Sequence, residues 1–276
     1  MIQALILGIA FIYLLLTSIL DIKYRLVWDY INYSFGFIFL LIRLAELIIT
    51  ANYPIFFGVI MASLTTLAVG YALYKTGAWG GGDVKLLTSL CIGLFFLPSD
   101  SLVIQNLTFP FYANFLINTL FGGIIFGLIW SYFLFFKTGA YKEMKTSHKA
   151  MLAVSAIFFA LIFFFGMKEK VLFSLLTIFC LYYIIKIFEN RITVMDKEVS
   201  RLDEGDWILK DIRIGKKLVT KKPTGLSKED IKVLQLSGLK TIKIKDGIPF
   251  LVSFFLAFII TLVINDNLIK LIVINI

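Results

Sequence analysis

Charge is scarce in this chain. Only 16% of its 276 residues are Asp, Glu, Lys or Arg, whereas a soluble domain carries roughly a quarter. That shortage argues against an ordinary water-soluble enzyme or binding domain. Histidine is limited to His148, and cysteine to Cys91 and Cys180, which stand far apart inside apolar runs. With no CxxC pair and no Cys/His cluster, the ligands for a structural zinc or haem site are missing, and no metal is expected. The two thiols are also poor nucleophiles, because apolar surroundings keep a thiol protonated. Acidic residues number 18 against 27 basic ones, a net charge of +9. The basic residues lie mainly in segments flanking apolar runs, as membrane proteins arrange them, so no nucleic-acid partner is expected.

What is present points to lipid as the solvent. Hydrophobic residues make up 59% of the chain, with 28 Phe among them, and the mean hydropathy is +0.91. The first apolar run lacks a basic start and a small-x-small pattern before Asp21, so it reads as a retained helix and not a cleaved signal. A span takes about 20 mostly apolar residues to cross about 30 Å of hydrocarbon. Eight stretches qualify: 2–20, 31–50, 54–74, a short one at 84–98, 112–136, 150–167, 170–187 and 248–265. The stretch 150–187 also reads as a hairpin dipping into the bilayer. The expected fold is mainly α, a polytopic transmembrane helical bundle of about six to eight spans. Loop charges orient it. With the amino terminus outside, the inner loops hold Lys23, Arg25, Lys75, Lys137, Lys142, Lys145 and Lys149. The outer loops 51–53 and 99–111 hold no Lys or Arg, and 168–169 holds only Lys168.

Residues 188–247 are the one soluble stretch long enough to fold separately, and they read as a small cytoplasmic α+β module. Ser227 before Lys228-Glu229-Asp230 marks a helix start, and Gly238 its close. Trp207-Ile208-Leu209 and Thr241 to Ile244 read as short strands. The expected division is therefore a transmembrane core at 1–187, the module at 188–247, and a final helix with its tail at 248–276.

Carboxylates near a bilayer are costly and need an account. Asp21 falls where the first span meets the inner side, and Asp83 where the fourth begins, so the topology sets both at one membrane face. Gly80, Gly81 and Gly82 precede Asp83; glycines there can take positive φ and let another chain approach. Two carboxyls close together share a proton, an arrangement suited to acid–base hydrolysis. The plainer alternative is that each aspartate caps a helix or pairs with a neighbouring lysine, Lys23 or Lys85. An ion or proton pathway is a second alternative, although coupling carboxylates in transporters sit near the midplane. A third is a non-catalytic scaffold with the module as its binding surface.

Taken together, the blocks resemble the type IV prepilin peptidases, and specifically their archaeal relatives, the preflagellin (prearchaellin) peptidases. These are Gly-x-Gly-Asp membrane aspartyl proteases. The resemblance lies in Asp21, Lys23, Arg25 and Asp29-Tyr30 after the first span, and in Gly80 to Leu87. It extends to Glu204-Gly205-Asp206, Gly225 to Ile231, and Asp246 to Phe250. It implies that Asp21 and Asp83 are catalytic, that Gly80, Gly81, Gly82 and Lys85 support them, and that no cofactor is needed. It also implies a substrate: an archaellin or type IV pilin-like precursor with a short basic leader before a hydrophobic helix, cut at the cytoplasmic face. Bacterial relatives that also N-methylate their products often carry cysteine pairs, which this chain lacks, so no methyl transfer is expected. The presenilin and signal-peptide-peptidase type also uses Gly-x-Gly-Asp, but resembles this chain less.

Other polar residues read as structural. Arg43 and Glu46 share a helical face and should pair. Asp29 reads as a polar contact of its loop. Lys85 reads as snorkelling to headgroups, or as tuning Asp83. His148 reads as solvated, and Trp28 and Trp79 as interfacial anchors. Asn106-Leu107-Thr108 is a glycosylation sequon on the expected outer side.

Overall fold

The structure, a computed structural model, describes residues 2–97, 110–164, 167–215 and 217–264. Nine α-helices and five short strands occur among them: α1 Ile2–Tyr24, α2 Asp29–Thr50, α3 Tyr53–Lys75, α4 Gly81–Leu94, α5 Phe111–Lys137, α6 Thr146–Leu161, α7 Met167–Thr193, β1 Val194–Glu198, β2 Trp207–Ile208, β3 Ile212–Ile214, β4 Lys217–Val219, α8 Lys228–Gln235, β5 Thr241–Lys245 and α9 Leu251–Ile264. Each of the eight expected spans coincides with a helix. Five are long and apolar enough to cross a bilayer: α1, α2, α3, α5 and Leu172–Glu189 within α7. The remainder, α4, α6 and α9, have 14, 16 and 14 residues.

The chain is a multi-pass membrane protein, a helical bundle bearing a small α+β module. What these helices present outward fits that solvent, since Ile48 is 82% exposed and Phe57 62%. Two details differ from expectation. Residues 168–169 are the first turn of α7 and not a loop, and α7 continues past 187 to Thr193. The sequon Asn106–Thr108 lies outside the described residues, as do most of loop 99–111 and the tail after Ile264.

Two compact units divide the chain. The first holds α1 to α4, α5 up to Gly123, and the chain from Asp196 through α9. Its membrane core is built on Tyr13, Phe39, Leu86, Leu90, Phe115, Phe254 and Phe258, all fully buried. Several polar groups in that core are paired across helices, because an unmet donor or acceptor away from water is costly. The Tyr13 hydroxyl donates to Asn32 Oδ1 at 2.7 Å, and Ser89 Oγ donates to the Asn32 carbonyl at 3.0 Å, tying α1, α2 and α4 together. Asn118 Nδ2 donates to Thr261 Oγ1 at 2.9 Å, tying α5 to α9.

The module belongs to this first unit. Its sheet runs β1-β5-β2, with β2 antiparallel to β5 (Ile208 opposite Ile244), and β3–β4 form a separate hairpin. Val199, Leu202, Ile208, Val219, Leu226, Leu234, Ile242 and Ile244 make its core. Helix α8 starts as expected: Ser227 Oγ accepts from Asp230 N–H, and the Asp230 carboxylate accepts from Ser227 N–H at 3.0 Å. This reciprocal cap satisfies donors that the first helical turn leaves free.

The second unit runs from Ile124 to Met195. Phe135, Ala140, Ile184, Ile185, Phe188 and Ile192 form its core. His148 is half-buried and also makes specific contacts. Its Nδ1 accepts from Lys145 N–H at 3.2 Å, and its ring meets Phe188 edge-on, so it caps the start of α6.

Candidate active site

Asp21 sits in the last turn of α1, half-buried. Its Oδ2 accepts from the Leu251 N–H at 3.0 Å, the first residue of α9. Ser18, one turn earlier on the same face of α1, donates to the Leu251 carbonyl at 3.2 Å. The start of α9 is thus held at both its N–H and its C=O by α1. Helix α1 is followed directly by Arg25, whose N–H donates to the Asp21 carbonyl at 3.0 Å and whose φ is +56°. Arginine rarely adopts that left-handed conformation. From it, Arg25 Nη2 lies 3.6 Å from Asp246 Oδ2. Burial pushes the Asp246 carboxyl up from the ordinary aspartate range, with Arg25 and Lys197 opposing the shift and Asp206 adding to it.

Asp83 is the third residue of α4. Its Oδ2 accepts from the Gly80 N–H at 2.9 Å, which closes a cap on its own helix. The capping role considered as the plainer alternative is therefore present at both aspartates. Both lie in the first compact unit, Asp21 at the end of α1 and Asp83 at the start of α4.

The glycines use ordinary backbone conformations here. Gly80 has φ −76° and ψ 154°, and Gly81 and Gly82 are the first two residues of α4, so none of the three takes positive φ. A Cβ on Gly80 would stand 3.3 Å from Asp83 Oδ2, crowding the carboxylate, while one on Gly82 would meet nothing within 4 Å. The triplet leaves the helix start bare beside Asp83. Positive φ belongs instead to Gly77, at +74°, where a Cβ would stand 2.7 Å from the Pro223 carbonyl oxygen. There the α3–α4 loop packs directly on the module, and Trp207 Nε1 donates to the same oxygen at 3.0 Å.

Lys85 neither pairs with Asp83 nor snorkels alone. Its Nζ is 2.5 Å from Asp29 Oδ1, bridging the starts of α4 and α2. Asp29 is thus a contact between helices and not one within its own loop. Arg43 pairs with Glu46 as expected, and does more: its Nε and Nη2 donate to the carbonyls of Ile92 and Gly93 at 3.1 and 2.7 Å. A buried cation there neutralises the free carbonyls at the end of α4. Trp79 packs against the membrane core, whereas Trp28 stacks on Tyr30 and stays exposed. Cys91 and Cys180 are free and buried.

Sequence reasoning missed the Leu251 amide and gave Asp246 no role. The signal present was the run Asp246-Gly247-Ile248-Pro249-Phe250 ahead of α9. Its pairing with α1 spans more than 220 residues of chain, and no local pattern records it.

Residues 8–132 match the type IV leader peptidase family. Over this stretch, a little under half of its length, the chain is similar to that family. The match takes in α1, α2, α3 and α4, and with them Asp21, Gly80, Gly81, Gly82, Asp83 and Lys85. The similarity supports a type IV leader peptidase-like protease. The module and α9, which supplies the amide on Asp21, lie beyond the matched stretch. No curated protein matches the chain.

Proposed function

We propose that this peptidase is an aspartyl endopeptidase with Asp21 and Asp83 as its working pair. The observation that supports the reading is their placement at the end of one helix and the start of another in one compact unit, 62 positions apart in sequence and inside the family-matched stretch. Close carboxyls do not both ionise easily and hold one proton between them. The ionised member takes a proton from water as that water attacks the scissile carbonyl carbon. The protonated member donates to the carbonyl oxygen. Roles are those of the pair, which titrates as a unit. The bare start of α4 at Gly81 and Gly82 leaves room for an extended peptide to approach Asp83.

The substrate in this reading is an archaellin or type IV pilin-like precursor, cut between a short basic leader and a hydrophobic helix. The basic inner loops support a site at the cytoplasmic face of the cell membrane, where such a leader lies. The peptidase core is 1–187, completed by the helix from 248, with 188–247 as the cytoplasmic module beside the site. Cleavage of a pilin-like precursor in membranes tests this directly. Asp21→Asn and Asp83→Asn should each abolish processing while inserting normally; processing that survives either change would remove the pair.

A further inference from the structure

We infer that Arg25 and Asp246 are positioning residues, a charge clamp that seats the amino terminus of α9 on Asp21 and so fixes the carboxylate for catalysis. The inference rests on Asp21 being one of the two working carboxylates. Three side chains at the end of α1 converge on one segment: Ser18 and Asp21 hold Leu251, and Arg25 holds Asp246. Only Gly247, Ile248, Pro249 and Phe250 separate the two held points, and the fixed φ of Pro249 reduces the freedom of that link. Fixing Asp246 therefore restricts where the Leu251 N–H can go.

The backbone at Arg25 supports a purpose beyond stability. A left-handed arginine is unfavourable, and such strain persists where the surroundings impose it. Here it ends α1 and turns the guanidinium toward Asp246. The ion pair itself contributes little to folding, because both side chains are 28% exposed and remain partly wetted. Its consequence is orientation. A carboxylate that takes and returns a proton needs its oxygens aimed, and small misplacements of such groups cost rate more than binding.

The test is steady-state cleavage of a pilin-like precursor, with a basic leader before a hydrophobic helix, by the full chain in reconstituted membranes. Asp246→Asn and Arg25→Asn are the breaking variants, asparagine being a residue that tolerates the left-handed conformation. Each should lower kcat by about tenfold, with KM and the melting temperature close to wild type. Arg25→Lys should keep most of the activity. The exchange of Arg25→Asp with Asp246→Arg should recover kcat well above either breaking variant. Wild-type kcat in the breaking variants, or an exchange no better than they are, would overturn the clamp. Asp21→Asn run alongside separates the two readings. If it cleaves normally, the aspartyl pair falls and the clamp with it. If it is inactive while Asp246→Asn cleaves like wild type, the clamp alone falls.

Discussion

The two carboxylates are cradled in opposite ways. Asp83 takes its hydrogen bond from Gly80, three residues earlier in the same helix start, whereas Asp21 takes its own from Leu251, 230 residues away. Asp83 stands on a local device: a bare glycine cap and the first turn it closes. Asp21 stands on a tertiary one, in which α9 must dock on α1 before the carboxylate has a partner. The contrast separates what a short motif determines from what only the assembled bundle determines.

Breaking the far end of α4 tests how local the Asp83 device is. Arg43 holds the last carbonyls of α4 from α2, and is 2% exposed. Arg43→Ala should cost about 3 kcal/mol, read as a lower melting temperature in detergent. An unchanged melting temperature would mean that α4 stands without its clamp.

The loop just ahead of the glycines is tied to the module across 146 residues. Gly77→Ala should destabilise by about 2 kcal/mol, because φ is +74° and the new methyl would meet the Pro223 carbonyl at 2.7 Å. Tolerance of alanine would show that loop and module do not press on one another.

Gly82→Ala sharpens the comparison from the other side. Its Cβ meets nothing within 4 Å, so stability should stay within about 0.5 kcal/mol. If the bare helix start admits substrate, kcat/KM should nonetheless fall by about tenfold. Unchanged cleavage would leave the glycine with a capping role alone.

The smallest effect lies in the module. Asp230→Ala removes the reciprocal cap of α8 and the pairing with Lys222, at a cost of about 1 kcal/mol. Burial works to raise the Asp230 carboxyl, but Lys222 and Ser227 outweigh it, and the folded value lies below the ordinary one. A lowered folded value gives stability that is complete above the unfolded value, near pH ~4, and is lost as the pH falls through the folded one. Trp207 fluorescence, compared with Trp207→Phe, should report loosening only on that acid side. Loosening already near neutrality would contradict the assignment.

The same division explains what was legible from residue order. The apolar runs located every helix that crosses or enters the membrane, since hydrophobic length is a local property. Ser227 and Asp230 announced α8, since a cap spans four residues. Gly80 to Asp83 marked the site but not its geometry: the triplet allowed positive φ, and Gly77 holds it instead. The pairing of Lys85 with Asp29, the carbonyl clamp of Arg43 and the amide on Asp21 were not legible, because each joins distant helices. Strands β1, β3 and β4 were missed for another reason. Charged residues interrupt or flank each one and leave no apolar run to read.

The central claim is that two differently held aspartates act as one unit, and the direct measurement is kcat for Asp21→Asn, Asp83→Asn and the double variant on one precursor. Groups that share a proton should not add: each single change should cost nearly as much as both together. A double variant slower than either single by the product of their effects would contradict the account, as would one single variant that keeps wild-type turnover.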